Sequence, residues 1–215
     1  MNNLLADTTD RHRHQMEKLP QLQAMLGGTY SKAAYVEFLV QLYPIVSNFC
    51  PLMAAAAGRC ADRHTTLRQF LYEHIEHEKG HEAMVINDLE QLGYQYSDLP
   101  SINPGPAARA MLAYNYHVID RIDPHYVIGM VYVLELMSAG YASKVAQSIS
   151  IAIDQPITRG FSFLDSHGTL DDDHVANVSE LIQSLESKDL VEKIVDSVDM
   201  NFYLLRQLIS DLPQN

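Results

Sequence analysis

The sequence predicts an all-α protein, a single-domain helical bundle over residues 1–215. Apolar residues recur at spacings of three and four along most of the chain, whereas the strict alternation of a half-buried strand is hard to find. Ten glycines and nine prolines in 215 residues are below the average share, so few turns interrupt this pattern. The length suits one large domain with a sizeable core.

Start and stop signals divide this pattern into helices. Ser31 is a candidate N-cap, and its helix continues past two prolines that should kink it. Gly93 is a candidate C-cap and begins the one substantial predicted loop, residues 93–106. Asp123 and Pro124 form an N-cap followed by a proline in the first helical position. The predicted helices cover residues 3–18, 31–58, 62–92, 106–120, a segment that opens at 123, 159–186 and 189–212.

Charge and cysteine content narrow the classes of function. Fifteen basic and 27 acidic side chains give a net charge of −12, which disfavours binding to nucleic acid or to an anionic membrane because like charges repel. Two cysteines and a polar N-terminus predict a reducing, cytoplasmic location. The most apolar stretch, residues 126–142, is short for a bilayer and carries Glu135, so we expect no membrane span.

The same polar triplet occurs twice on stripes that should be buried. Both copies fit the pattern H-x3-[DE]-x2-H, whose spacings place three side chains on one helical face. Unpaired polar groups would be costly in a core, so the triplets form either hydrogen-bonded networks or, as we favour, a site for a shared cation. The two triplets are His74, Glu78 and His81, and His167, Asp171 and His174.

Glu135 adds a third polar element to the predicted core. It stands in an apolar helix with no Lys or Arg on its own turn. A lone buried carboxylate must take up a proton or find a positive partner. A metal ion shared with the triplets would supply that partner; the alternative is a neutral glutamic acid hydrogen-bonded to a helix backbone.

The candidate ligands are carboxylates and imidazoles, without a cysteine. Such a mixture of N and O donors suits Fe(II) or Mn(II), with Zn(II) as an alternative. Six or seven donors are too many for one catalytic ion that keeps open positions, so we predict two ions. Ferritin-like di-iron bundles use a similar Glu-x-x-His spacing. The candidates are Glu78, His81, Glu135, His167, Asp171 and His174, with His74 as an extra ligand.

Four stretches carry a resemblance to a known family. They are LGGTYSKAAYVEFLVQLYPIVSNF (26–49), EKGHEAMVINDLEQLG (78–93), YVLE (132–135) and FLDSHGTLDDDH (163–174). With them the chain resembles the heme-oxygenase-like fold and, within it, the non-heme di-iron oxidases and oxygenases of the iron-containing redox enzyme family. The resemblance implies two iron ions held by the six main candidates, O₂ as co-substrate and a small organic substrate.

The metal site expected around Glu78 and His81 departs from the pattern of some relatives. They have Glu seven residues before the first histidine, and here that position is His74. Glu78 would then supply the first carboxylate, and His74 would be an extra ligand or a donor that orients one. Heme oxygenase itself matches less well, because the spacing of His12 and His14 to Glu17 is not the family's. We expect both of these N-terminal histidines to be exposed.

Two alternatives belong to other classes of protein. Residues 77–81 read HEKGH, the H-E-x-x-H motif with which zinc metallopeptidases bind Zn(II). His77 lies at the edge of the buried stripe and no strand for a peptide substrate is evident, so we favour the di-iron interpretation. The other alternative is a metal-free binding protein, because a fold alone does not decide function. The identity of the substrate and the formation of a homodimer are left open.

Overall fold

The computed structural model describes residues 2–95 and 104–214, without the side chains of residues 2–3 and 168–172. In this part of the chain every regular element is a helix, as predicted. The α-helices are α1 (Asn2–Met16), α2 (Pro20–Leu26), α3 (Lys32–Arg59), α4 (Thr65–Glu78), α5 (His81–Gln91), α6 (Pro106–Arg121), α7 (Tyr126–Ala152), α8 (Ser162–Ser184) and α9 (Lys188–Ser210), and a short 3-10 helix covers Asp62–His64. Residues 96–103 of the predicted loop lie outside the described residues.

Capping groups explain several of the helix ends. The Ser31 hydroxyl oxygen accepts a hydrogen bond from the amide of Ala34 at 3.2 Å, so Ser31 caps α3 as predicted. Ser187 caps α9 in the same way. Beyond α5, Gly93 has a φ of +87°, the left-handed conformation that commonly ends a helix. These local signals agree with the tertiary structure.

The prediction of one continuous helix over residues 62–92 is wrong. Helix α4 ends at Glu78 and α5 begins at His81. Between them Lys79 is extended, and Gly80 has a φ of +94°, which glycine adopts without the Cβ clash that other residues meet. Glu78 and His81 therefore lie on either side of a turn and do not share one continuous helical face.

Two other helix predictions also differ from the structure. The predicted first helix, 3–18, stops at Met16, and an unpredicted short helix, α2, follows with Pro20 in its first position. The helix expected to open at Asp123 begins at Tyr126, because the Asp123 carboxylate accepts a hydrogen bond from the amide of His125 and holds a turn there first. The remaining predicted ends agree to within about one helical turn.

Helix α7 lies at the centre of the bundle and packs against α2, α3, α6, α8 and α9. Residues 126–133 are buried because apolar side chains surround this part of the helix instead of forming a single stripe. At Gly129 the backbone approaches α9 so closely that an added Cβ would lie 2.4 Å from the Cβ of Ser197. The next turn of α7 carries Glu135 into the interior.

Helices α3 and α7 meet the criteria of length and mean hydropathy for a membrane span. Of their most apolar windows, 33% and 61% respectively are buried within the fold. Core helices of soluble proteins pass the same test, so this is weak support for a membrane-spanning role. The expectation of no membrane span stays a prediction.

Candidate metal centre

Four helices bring the predicted polar residues together in the interior. Helix α4 supplies His74 and its last residue Glu78, α5 begins with His81, α7 supplies Glu135, and α8 supplies His167 and His174. Most of these side chains are buried, and the exposed fraction of Glu135 is only 3%. They form two groups of donor atoms that share one carboxylate.

The first group, which we name the inner subsite, comprises His74, Glu78, Glu135 and His174. The Nε2 atom of His74 lies 2.8 Å from Oε1 of Glu135. The Nδ1 atom of His174 lies 3.3 Å from Oε2 of Glu135 and 3.5 Å from Oε1 of Glu78. One ligand atom from each residue fits within a cluster whose members are all within 4.8 Å of one another.

The second group, the outer subsite, comprises Glu78, His81 and His167. The Nδ1 atom of His81 lies 2.8 Å from Oε2 of Glu78 and 2.9 Å from Nε2 of His167. Glu78 therefore directs Oε1 toward the inner subsite and Oε2 toward the outer one. One carboxylate therefore lies between two sets of imidazoles.

The electrostatics of the site favour ionised carboxylates. Burial alone would raise the pKa of Glu78, but hydrogen bonding and charge from His167 and His81 lower it well below its usual range. Burial likewise acts to raise the pKa of Glu135, and hydrogen bonds from His174 and His74 outweigh it and lower that pKa. The site thus holds two buried carboxylates with histidines as their neighbours.

An unsatisfied atom shows that this donor set fits a cation. Oε1 of Glu78 is buried and has no hydrogen-bond partner among the described residues. No Lys or Arg in the described part of the chain forms an ion pair with Glu78 or Glu135. A buried, ionised oxygen without a hydrogen bond is costly. A metal ion on each side of Glu78 would remove this cost, and N and O donors without thiolate suit iron, manganese or zinc.

Helix α8 is held in place by a residue for which the sequence predicted no role. The fully buried carboxylate of Asp88 on α5 accepts hydrogen bonds from the amide and hydroxyl of Ser162 and from the amide of Phe163. One turn later, Nδ1 of His167 lies 2.7 Å from the carbonyl oxygen of Phe163. Since a carbonyl only accepts, Nδ1 carries the proton, and Nε2 faces Nδ1 of His81 at the outer subsite. The feature of the sequence that could have identified Asp88 is its position as an acidic residue on an otherwise apolar helical stripe.

Asp171 belongs to α8, but its side chain lies outside the described residues, so its role as a ligand stays a prediction. His77 is exposed and belongs to neither donor group. The break at Gly80 also separates His77 from His81, which removes the shared helical face that an H-E-x-x-H zinc site requires. This geometry disfavours the zinc peptidase alternative.

The expectation that both N-terminal histidines are exposed is wrong for His12. Its exposed fraction is 4%, its Nε2 lies 2.8 Å from the Asp199 carboxylate, and its ring stacks on Phe202 at 5.1 Å. Burial here depends on the contact between α1 and α9, which the local sequence does not reveal. His14 is exposed as predicted.

An apolar cavity of about 140 Å³ adjoins the outer subsite. All three outer donors line it together with Glu135, whereas His74 and His174 do not. The only other polar side chains along its described walls are Ser138 and Tyr141, and the Tyr141 hydroxyl donates to Glu17 at 2.6 Å. The apolar walls are Leu22, Met25, Phe38, Leu42, Ile45, Val46, Phe49, Leu134, Met137, Ala142, Val145, Phe163, Leu164, Leu205 and Ile209.

The fold and the site together define an all-α protein of the heme-oxygenase-like class. A domain from Shewanella denitrificans described as having a heme oxygenase-like fold is similar to it with a TM-score of 0.86 at 22% identity, covering 98% of this chain and 90% of that one. For a TenA homologue from Pseudomonas syringae the TM-score is 0.80 at 17% identity, with coverages of 97% and 90%. For heme oxygenase from Leptospira interrogans it is 0.78 at 14% identity, with 98% of each chain covered. At these identities the likeness shows the fold alone.

The sequence also matches a family model. Residues 36–204 match the iron-containing redox enzyme family, and the chain belongs to that family. Among curated proteins none matches the chain. The predicted fold and family are therefore confirmed. The number of iron ions and the identity of their ligands stay predictions.

Proposed function

We propose that this protein is a di-iron oxidase or oxygenase that activates O₂ and acts on a small organic substrate with an apolar body. The observation that carries the proposal is the position of Glu78, whose two oxygens face two separate sets of histidine donors. Membership of the iron-containing redox enzyme family supports iron over manganese or zinc. A pair of ferrous ions supplies the electrons with which O₂ is reduced.

The residues around the ions have distinct tasks in this proposal. The ionised carboxylates of Glu78 and Glu135 offset the positive charge of the metals. The carbonyl oxygen of Phe163 holds the proton of His167 on Nδ1, so that the lone pair of Nε2 is directed toward the outer subsite. The apolar cavity walls exclude water from the face of the outer subsite.

The cavity also constrains how a substrate would bind. No Lys or Arg is among the described residues that line it, so a charged group at its far end would have no partner. The polar group of the substrate would therefore lie at the metal end, and the apolar part would extend along α3 and α9. This orientation places the reacting atoms beside the outer subsite.

Metal analysis tests the proposal directly. Protein produced with added iron should contain close to two Fe per chain, and Glu78→Gln should contain less than one because both subsites lose a shared ligand. Glu73→Gln, an exposed glutamate on the same helix, is the matched control and should retain two. Anaerobic loading with Fe(II) followed by O₂ should give a transient visible absorption that Glu78→Gln lacks.

The outcomes of this experiment separate the alternatives. Two Fe per chain in Glu78→Gln would contradict the bridging role of Glu78. Tight Zn(II) binding with peptide cleavage would favour the peptidase. Wild-type protein that retains no metal would leave a metal-free protein that binds an apolar ligand in the cavity.

A further inference from the structure

The apolar cavity opens to solvent between α3 and α7. Apart from His81, the half-buried residues among its described walls all belong to these two helices, and the remaining lining residues are buried. The half-buried residues of α3 and α7 are Phe38, Leu42, Val46, Leu134, Ser138 and Tyr141. A molecule that enters the cavity therefore passes between these two rows of side chains.

Ser138 lies in the middle of the face that α7 presents to the cavity. Most lining residues of this helix recur at spacings of three and four, which places them on one helical face. Ser138 comes three residues after Glu135, and Cβ atoms at this spacing on a helix are about 5–6 Å apart. A molecule that reaches Glu135 along this face lies against Ser138. The residues of this face are Leu134, Glu135, Ser138, Tyr141, Ala142 and Val145.

The Ser138 hydroxyl has a hydrogen-bond donor that the fold does not use. Each of the other three serines of α7 donates to a backbone carbonyl oxygen, at distances of 2.9 to 3.4 Å. Ser138 forms no hydrogen bond with any residue that the structure describes. The neighbouring carboxylate of Glu135 faces His74 and His174 instead. The donor of Ser138 is therefore available to a molecule in the cavity.

The second hydroxyl on the described cavity wall, that of Tyr141, is already engaged. It donates to the Glu17 carboxylate at 2.6 Å, and burial together with this carboxylate raises the pKa of Tyr141. A molecule without a polar group would displace water from Ser138 and leave its hydroxyl unsatisfied, which is unfavourable. An oxygen atom on the bound molecule would accept the hydrogen bond and remove this cost.

We propose that Ser138 donates a hydrogen bond to an oxygen atom of the substrate and is a determinant of specificity. It raises the affinity for apolar molecules that carry an oxygen acceptor, relative to molecules of the same shape without one. The inference rests on the substrate-binding part of the proposed function. It does not depend on metal coordination, because Ser138 belongs to neither donor group.

Two uncharged probes, 2-hexanone and 1-hexene, test this role. Their chains are equally long, and only the ketone has an oxygen acceptor; an anion would also be attracted by bound cations. Isothermal titration calorimetry of the Fe(II)-loaded protein under anaerobic conditions gives the Kd of each probe. Ser138→Ala should weaken the binding of 2-hexanone about 3–10-fold, the worth of one hydrogen bond, and leave that of 1-hexene within about twofold.

Two further variants separate a hydrogen bond from a change of cavity shape. Ser138→Thr keeps the hydroxyl and should retain the wild-type ratio of the two Kd values, since an added methyl group affects both probes alike. Ser143→Ala removes a half-buried serine of the same helix that does not line the cavity, and should change neither Kd. Circular dichroism checks that each variant is folded.

The ratio of the two Kd values decides the proposal. An unchanged ratio in Ser138→Ala, including an equal loss of affinity for both probes, would show that the residue only shapes the cavity and would overturn the inference. A changed ratio in a protein that retains no iron would uphold the inference while the di-iron proposal alone fails. Wild type that binds neither probe overturns both this inference and the proposed class of substrate.

Discussion

Asp88 is the residue through which the attachment of α8 to α5 can be tested most directly. Its buried carboxylate accepts hydrogen bonds from the amides of Ser162 and Phe163 at 2.9 and 2.8 Å and from the Ser162 hydroxyl at 2.8 Å. Asp88→Ala leaves both amides without an acceptor. An unsatisfied buried donor costs about 1–3 kcal/mol, so two unsatisfied amides should lower the free energy of unfolding by about 2–6 kcal/mol. Because Ser162 is only partly buried and water can reach its amide, we expect about 3 kcal/mol.

The measurement is equilibrium unfolding in urea, followed by far-ultraviolet circular dichroism. Asp7→Ala, at an exposed aspartate on α1, is the control and should change the free energy of unfolding by less than about 0.5 kcal/mol. Asp88→Asn keeps one carbonyl oxygen as an acceptor and should lie between the control and Asp88→Ala. A loss below about 1 kcal/mol in Asp88→Ala would refute the anchoring role, since one unsatisfied donor alone costs that much.

Three further predictions concern the helices around the site. Gly129→Ala should destabilise the protein by about 1–3 kcal/mol through overpacking against Ser197. Gly140→Ala should stabilise it by up to about 1 kcal/mol, because nothing lies within 4 Å of the added Cβ. Thermal unfolding measures both effects. Gly80→Ala should lower the free energy of unfolding by about 1–2 kcal/mol, because the residue has a φ of +94°. It should also displace His81 and so weaken metal binding at the outer subsite, an effect that metal titration measures. Burial acts to raise the pKa of Asp123, but hydrogen bonds from His125 and Lys193 lower it below its ordinary 3.8. The stability that Asp123 contributes relative to Asp123→Asn should therefore be complete at neutral pH and shrink below about pH 4, as urea unfolding at a series of pH values would show.

Each of these predictions has an opposing result. Equal effects of alanine at Gly129 and Gly140 would mean that α7 and α9 do not approach as closely as described. Gly80→Ala with unchanged stability would argue for a continuous helix there. A stability difference for Asp123→Asn that persists at acid pH would show that a lowered pKa is not the source of its contribution.

Helical periodicity was sufficient for the fold class because each helix carries its own apolar face. The break at Gly80 escaped detection because His74, Glu78 and His81 keep helical spacing across it, and spacing does not reveal a left-handed residue. Helix α2 was missed because seven residues are too few for a periodic pattern. Burial of His12 depends on α9, far away in the chain, so its own neighbours could not predict it.

The candidate site was predictable as a set of residues but not as an arrangement. Glu135 was identified because a carboxylate in an apolar helix demands a partner, and the structure brings it to His74 and His174. The division into two subsites was not predictable, because it depends on which oxygen of Glu78 faces which helix. Only the packing of α4, α5, α7 and α8 decides that.

A metal ion bound at the inner subsite would also affect how the protein unfolds. The donors of the inner subsite belong to α4, α7 and α8, which are distant from one another in the chain. An ion bound there would act as a removable cross-link that closes long loops, much as a disulfide does. The melting temperature should then rise with the concentration of free metal, because the ion binds only the assembled donors. Stability and metal content would be linked in every preparation of this protein.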